Sequence, residues 1–286
     1  MKQLTRREFL ASPGVLAAPL VFAGQPPVQK RDLLTSAWPA ARLAGVLVPR
    51  ERFHPFPNVS ERAAWEALPA DARAALLEAG EKQLKTPWEV LPATLFLEYH
   101  RLGNRSHYEA ARDRRRDKLQ ALVIAECVEG QGRFADEIAN GVWLTCEETF
   151  WGVPAHLGLQ QAGDGLPDVS EPVVDLFAAE TSSLLAWTDY LVGGLLARVS
   201  PLLAERVRTE INRRILTPCL ARNDFWWMGF TSSSVNNWDP WICSNWLTSA
   251  LLMETDEERR RAAVGKILRC LDVFLNGYDE DGGCDE

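Results

Sequence analysis

The sequence lacks the short signatures by which several enzyme classes are recognised. It contains no Gly-x-Ser-x-Gly, no P-loop, no His-Glu-x-x-His and no dinucleotide-binding fingerprint, so serine-hydrolase, nucleotide-binding and zinc-protease functions lose support. It also lacks an excess of positive charge, because 31 Lys and Arg stand against 39 Asp and Glu, for a net charge of −8. Binding to phosphate backbones needs a basic surface. This balance therefore argues against nucleic acid as the main partner.

Paired cysteines are absent as well. The six cysteines are scattered singly along the 286 residues, and none forms a Cys-x-x-Cys pair. We therefore expect buried or free thiols, no zinc site built from cysteines, and no metal or other cofactor. No uninterrupted apolar run of about 20 residues, the length of a membrane-spanning helix, follows the N-terminal segment. The sequence therefore predicts no stable membrane span beyond that segment.

The N-terminal segment is typical of an export signal. Residues 5–10 read Thr-Arg-Arg-Glu-Phe-Leu, and an apolar stretch interrupted by Pro13 and Pro19 follows to Phe22. This pattern predicts a twin-arginine signal peptide over residues 1–24, removed on export to the periplasm or the cell exterior. An uncleaved N-terminal anchor is the alternative. Residues 25–58 are rich in proline and are predicted to form an irregular lead-in.

Helical periodicity dominates from residue 59 onward. Apolar side chains recur at spacings of three and four residues, as in Leu119, Leu122, Val123 and Cys127. Glycines and prolines separate such segments, and no alternating pattern of useful length predicts a strand. Amphipathic helices in succession pack as antiparallel hairpins, which build a bundle, a solenoid or a closed α/α toroid. We expect an all-α domain over residues 59–286, and its tryptophans favour the toroid.

Tryptophan is over-represented, with 11 Trp against 4 Tyr. One group of candidate substrate-binding residues consists of Glu148, Trp151 and His156, which place a carboxylate, an indole and an imidazole at the C-terminal end of a predicted helix. Glu148 and Trp151 are three residues apart and can share one helix face. These groups suit a sugar-binding subsite, and a packed tryptophan with a structural histidine is the alternative.

The second group of candidates lies where four tryptophans fall within the 16 residues of 226–241. Asn236 and Asn237 stand among them, next to Trp238 and Trp241. Indole faces stack on the apolar faces of pyranose rings, and amide side chains bind hydroxyl and carboxylate groups. These residues predict a carbohydrate-binding cleft. The alternative is a loop with capping asparagines and core aromatics.

Several ordered blocks of the sequence, from about residue 90 to the last residue, resemble the heparinase II/III-like family. They read Asn-Arg-Ser-His-Tyr-Glu at 104–109, Cys-Glu-Glu-Thr-Phe-Trp at 146–151 with Pro-Ala-His at 154–156, and Val-Asn-Asn-Trp at 235–238. The ending Asp-Gly-Gly-Cys-Asp-Glu at 281–286 is similar to the start of a family segment that continues Gly-Pro-x-Tyr. The resemblance implies an N-terminal α/α toroid followed by a C-terminal β-sandwich region.

The resemblance also implies a reaction. Lyases of the family cleave uronate-containing glycans, such as heparan sulfate or alginate, by β-elimination. An Asn or His neutralises the uronate carboxylate, a base removes the C5 proton, and an acid, usually Tyr, protonates the leaving oxygen. Asn236 or Asn237 matches the neutralising amide, and Glu148, Trp151 and His156 match a block expected to line the cleft.

The sequence departs from the family pattern in two places. Trp238 stands where some family lyases have a histidine after the asparagine, and the Tyr of Gly-Pro-x-Tyr would fall beyond Glu286 together with the β-sandwich region. We therefore expect an incomplete toroid, the N-terminal portion of an exported lyase that lacks its own general acid. The alternatives are a toroid glycoside hydrolase, with Glu148 and Asp239 as the carboxylate pair to test, and a non-catalytic carbohydrate-binding protein.

Overall fold

The fold is known from a computed structural model that describes residues 30–231, 235–278 and 282–283. The predicted signal peptide at 1–24 lies outside these residues. Helices make up 69% of the described residues, which contain no strand, and this confirms the all-α prediction. None of the described helices combines the length and the apolar character that a bilayer crossing requires.

We number the α-helices in chain order. They are α1 Leu33–Ala37, α2 Ala40–Val46, α3 Arg62–Glu66, α4 Ala70–Leu84, α5 Ala93–Phe96, α6 Glu98–Leu102, α7 Ser106–Glu129, α8 Ala135–Glu147, α9 Leu176–Val199, α10 Leu202–Ile211, α11 Thr217–Ala221, α12 Trp238–Met253 and α13 Glu257–Asn276. Short 3-10 turns lie at Arg50–Arg52, Pro154–Leu159 and Trp226–Met228, and a π-helical turn at Asn212–Leu216 joins α10 to α11.

The described part of the lead-in is more ordered than the sequence predicted, because it contains α1 and α2. The reason is a tertiary contact with the last helix. The buried carboxylate of Asp272 on α13 accepts hydrogen bonds from the backbone N–H of Leu34 (2.8 Å) and of Thr35 (2.9 Å), which are orphan donors of the first turn of α1. The Asn276 side chain accepts from the backbone N–H of Arg31 at 2.7 Å. The start of the described chain therefore lies against its last helix.

Packed helical hairpins form the body of the protein. The helix α4 packs on α7, α7 on α8, α9 on both α10 and α12, and α12 on α13. The connection from α7 to α8 turns at Gly130, whose positive φ of 71° ends α7. The buried carboxylate of Glu126 then accepts from the backbone N–H of Gly132 (2.6 Å) and of Phe134 (3.1 Å). One apolar core runs through these hairpins.

The close approach of α4 to α7 depends on a glycine. A Cβ at Gly80 would overlap the Cβ of Ala125 on α7, whereas a Cβ at Gly194 on α9 would meet nothing within 4 Å. We expect Gly80→Ala to lower the free energy of unfolding by about 1–3 kcal/mol through overpacking. The control Gly194→Ala should raise it by up to about 1 kcal/mol, because alanine favours helix. Urea unfolding measures both, and an unchanged or more stable Gly80→Ala variant would contradict the tight contact.

Candidate functional site

A histidine and a buried aspartate form the centre of the candidate site. The 3-10 turn Pro154–Leu159 presents His156, whose Nδ1 lies 2.7 Å from Oδ2 of Asp175. The carboxylate of Asp175 is fully buried and the imidazole is 12% exposed. A carboxylate accepts the Nδ1 proton of a neutral imidazole, which leaves Nε2 as a proton acceptor. Among the described residues, Nε2 of His156 has no hydrogen-bond partner.

Asp175 is held in place by the helix that it begins. Its Oδ1 accepts from the backbone N–H of Ala178 at 2.7 Å and caps the N-terminus of α9. Its Oδ2 also accepts from the N–H of Val153 at 3.3 Å. The neighbouring Gly152 leaves room for this contact, because a Cβ there would lie 2.6 Å from Oδ2 of Asp175. These contacts fix the position of the Asp175 carboxylate, and the carboxylate in turn orients His156.

Aromatic rings surround the imidazole of His156. The ring of Phe177 is stacked on it at 5.6 Å between centroids, and Trp238 of α12 lies at 4.5 Å. The ring of Trp226 lies 5.1 Å from that of Trp238. The segment that carries Trp226 is anchored beside the aspartate, because the Trp227 indole donates to the carbonyl of Val174 at 2.9 Å. The turn that carries His156, the start of α9 and the start of α12 thus meet at this imidazole.

The two asparagines lie at the start of α12, directly before Trp238. Oδ1 of Asn236 accepts from the backbone N–H of Trp238 at 3.0 Å, a local bond from the residue before the N-cap, whereas the N-cap Asn237 makes no side-chain capping bond. The NH2 group of Asn236 has no hydrogen-bond partner among the described residues. The carbonyl of Asn237 accepts from the N–H of Trp241 at 3.2 Å. Trp241 itself is 41% exposed.

Trp151 lies in the core and not on an open face. Its side chain is 1% exposed, its indole donates to the carbonyl of Thr145 at 2.8 Å, and the guanidinium of Arg214 covers its ring at 4.7 Å. The ring thus has no free face on which a sugar could stack. Trp151 is therefore a packing residue in this structure, which is the alternative that the sequence left open.

Glu148 belongs to a buried ion-pair network. Both of its oxygens accept from Arg116 on α7 at 2.5 Å, and Oε1 also accepts from Arg115 at 3.0 Å. Glu148 lines a cavity of about 390 Å³, together with Arg115, Tyr108 and Phe150. Burial and the nearby Glu148 carboxylate raise the pKa of Tyr108 to about 12. His156 and Asn236 do not line this cavity, so the structure separates Glu148 from them.

No contact or shared cavity of the described residues joins the two carboxylates of the hydrolase alternative. Glu148 is saturated by two arginines, whereas Asp239 is fully buried on α12 and does not line the cavity beside Glu148. A glycosidase needs both carboxyl groups at the scissile bond. This arrangement gives the hydrolase alternative no support.

Several residues of the site escaped the sequence analysis. Asp175 and Phe177 contact His156, and neither was singled out, whereas Trp226, which contacts Trp238, belongs to the tryptophan-rich stretch 226–241. Asp175 did carry a signal, because aspartate directly before a long apolar helical segment is a preferred N-cap. The pairing of Asp175 with His156 depends on the tertiary fold.

Comparison of the chain with models of known protein families finds no match, and comparison with curated proteins finds none either. The resemblance to the heparinase II/III-like family therefore stays a prediction.

Removing the charge of Glu148 should destabilise the fold strongly. We expect Glu148→Gln to lower the free energy of unfolding by about 3–5 kcal/mol, because Arg115 and Arg116 would remain buried without a counter-charge. The neighbouring Glu147 is exposed and makes a matched control, for which Glu147→Gln should change stability by about 0.5 kcal/mol or less. Urea unfolding of both variants checks this, and equal effects would contradict a structural role for the ion pair.

Proposed function

We propose that the chain forms the toroid portion of an exported polysaccharide lyase that cleaves uronate-containing glycans by β-elimination. The observation that carries the proposal is the contact of His156, oriented by Asp175, with the ring of Trp238, whose backbone N–H is bound by the side chain of Asn236. A base, a flat aromatic surface and a hydrogen-bond donor are three of the parts that β-elimination on a sugar acid requires.

Each part has a chemical role in the proposed reaction. The Asn236 amide, or that of Asn237, donates to the uronate carboxylate and stabilises the negative charge that develops when C5 loses its proton. Nε2 of His156 takes that proton, and Asp175 stabilises the resulting imidazolium. The glycosidic oxygen leaves C4 as the C4–C5 double bond forms, and it takes a proton from an acid. The family resemblance implies a Tyr as that acid.

The aromatic residues are proposed to hold the sugar rings. The ring of Trp238 contacts His156 and Trp226 and is partly exposed. Stacking on an indole orients a pyranose while leaving its polar edge to the asparagines. Trp241, one helical turn further along α12, extends this surface toward solvent.

The contact between the two ends of the domain supports a ring of hairpins. The α1 helix lies against α13 through Asp272, and α2 also contacts α13. First and last helices that pack together are what closure of an α/α toroid requires. We also propose that the protein is exported, because residues 5–10 have the twin-arginine pattern.

Replacing His156 tests the reaction. We expect His156→Ala to lower kcat by about 10²- to 10⁴-fold, the range for loss of a general base. Asn236→Ala or Asn237→Ala should lower kcat more than affinity, because the amide acts mainly in the transition state. The readout is the ultraviolet absorbance of the C4–C5 double bond with uronate glycans. The exposed His107, which pairs with Glu98 at 2.7 Å, provides the control His107→Ala.

Three outcomes separate the functions. Ultraviolet-absorbing products that depend on His156 support the lyase. New reducing ends without that absorbance indicate a hydrolase, and a bound but intact glycan indicates a carbohydrate-binding protein. Either of the last two results overturns the proposal.

Replacing Trp238 tests the sugar surface in the chain of 286 residues. We expect Trp238→Ala to weaken the affinity for acidic oligosaccharides by about threefold to tenfold, through loss of stacking. The matched control is Trp143→Ala, since Trp143 is 45% exposed and lies near Arg206 on α10, away from the contacts of His156. Affinity electrophoresis measures both variants, and equal losses would show that Trp238 is not part of a glycan site.

A further inference from the structure

Three potential metal ligands lie together on the α12–α13 hairpin. Asp239 and Cys243 are one turn apart on α12, and Cys270 faces them from α13. The carboxylate and thiol donor atoms all lie within 4.8 Å of one another. All three side chains are fully buried. The arrangement is a compact set of one oxygen and two sulfur donors from two helices.

The carboxylate of this cluster has no conventional partner. Neither oxygen of Asp239 accepts a hydrogen bond from outside the cluster, and no Lys or Arg of the described residues forms an ion pair with it. The Cys243 thiol of the same cluster is the neighbour that reaches this carboxylate. Burying a carboxylate without a partner is costly, and buried charges in proteins are paired or coordinate metals. The orphaned oxygens therefore point to a cation as the missing partner.

The donor set selects the kind of cation. Thiolates favour zinc and other soft divalent ions, whereas calcium and magnesium take oxygen ligands. Zinc–sulfur bonds of about 2.3 Å in a tetrahedron place the donors roughly 3.7 Å apart. The cluster needs only a small contraction from its present spacing to reach this geometry. The buried Cys219 is near Cys270 but is not part of this close group, so the cluster supplies three ligands.

We propose that Asp239, Cys243 and Cys270 bind one zinc ion that fixes the start of α12 to α13. On binding, each of the two thiols releases its proton to solvent, so that two thiolates and one carboxylate coordinate the metal. The site is structural, because its ligands are buried. Its first ligand, Asp239, directly follows Trp238 in the chain. The zinc proposal does not depend on the proposed lyase activity.

A disulfide between Cys243 and Cys270 is the competing use of the same thiols. Such a bond would leave both oxygens of Asp239 without a partner, whereas a metal ion satisfies all three residues. The observations therefore favour the metal. The sequence predicted no zinc site because the cysteines are scattered singly, and their pairing exists only once α12 packs on α13.

The proposal is tested by metal analysis of the full chain, produced without a histidine tag in medium that contains zinc. Mass spectrometry should find about one zinc ion per chain after exhaustive dialysis, since structural sites bind zinc tightly. Growth in cobalt should give the near-ultraviolet charge-transfer band of thiolate–cobalt bonds in the unaltered protein. This spectrum needs no variant and so does not depend on whether variants fold.

Variants locate the ligands. Cys243→Ser, Cys270→Ser and Asp239→Asn should each lose most of the zinc, while Cys127→Ser and Cys146→Ser, at two other buried cysteines, should retain it. Absence of metal from the unaltered protein overturns the proposal. So does zinc retained in both Cys243→Ser and Cys270→Ser, which would mark an adventitious ion. Loss of two titratable thiols in the denatured, unreduced protein would show the disulfide instead.

Discussion

The Asp175 carboxylate is the point on which the candidate site depends. With one oxygen it caps α9, and with the other it accepts from the Val153 N–H and from His156. The same group therefore fixes a helix start, a loop and an imidazole. Because the carboxylate is fully buried, each of these hydrogen bonds also repays part of its desolvation. The orientation of His156 follows from the packing of α9 and cannot change independently of it.

Three arginines of α7 hold the segment between α8 and α9, which carries His156 and Asp175. Arg116 and Arg115 bind Glu148, where the loop leaves α8. Arg112 donates to the carbonyl of Trp151 and to that of Phe177 in the first turn of α9, at 3.3 and 2.8 Å. One helix face thus joins the end of α8 to the start of α9. The charge on Glu148 is explained by this structural role.

More of the fold than of the candidate site could be predicted from the sequence. Helical periodicity is a local property, so the all-α class and the extent of the long helices were predictable. The identity of Trp151 as a core residue was not, because stacked and packed tryptophans have the same local pattern, and its burial depends on tertiary contacts such as that with Arg214. Asp175 and the Asp239–Cys243–Cys270 cluster could not be paired with their partners, since those contacts join residues of separate elements.

The first turn of α12 links the two proposals physically. Successive residues on a helix point about 100° apart, so Trp238 faces His156 while Asp239, the next residue, faces the cysteines of the hairpin. A cation bound by Asp239 would fix the rotation of this turn, and with it the ring of Trp238 and the amide of Asn236. A surface that is rigid before the ligand arrives loses less conformational entropy on binding. A structural ion in the core would in this way strengthen the affinity of a cleft that it does not contact.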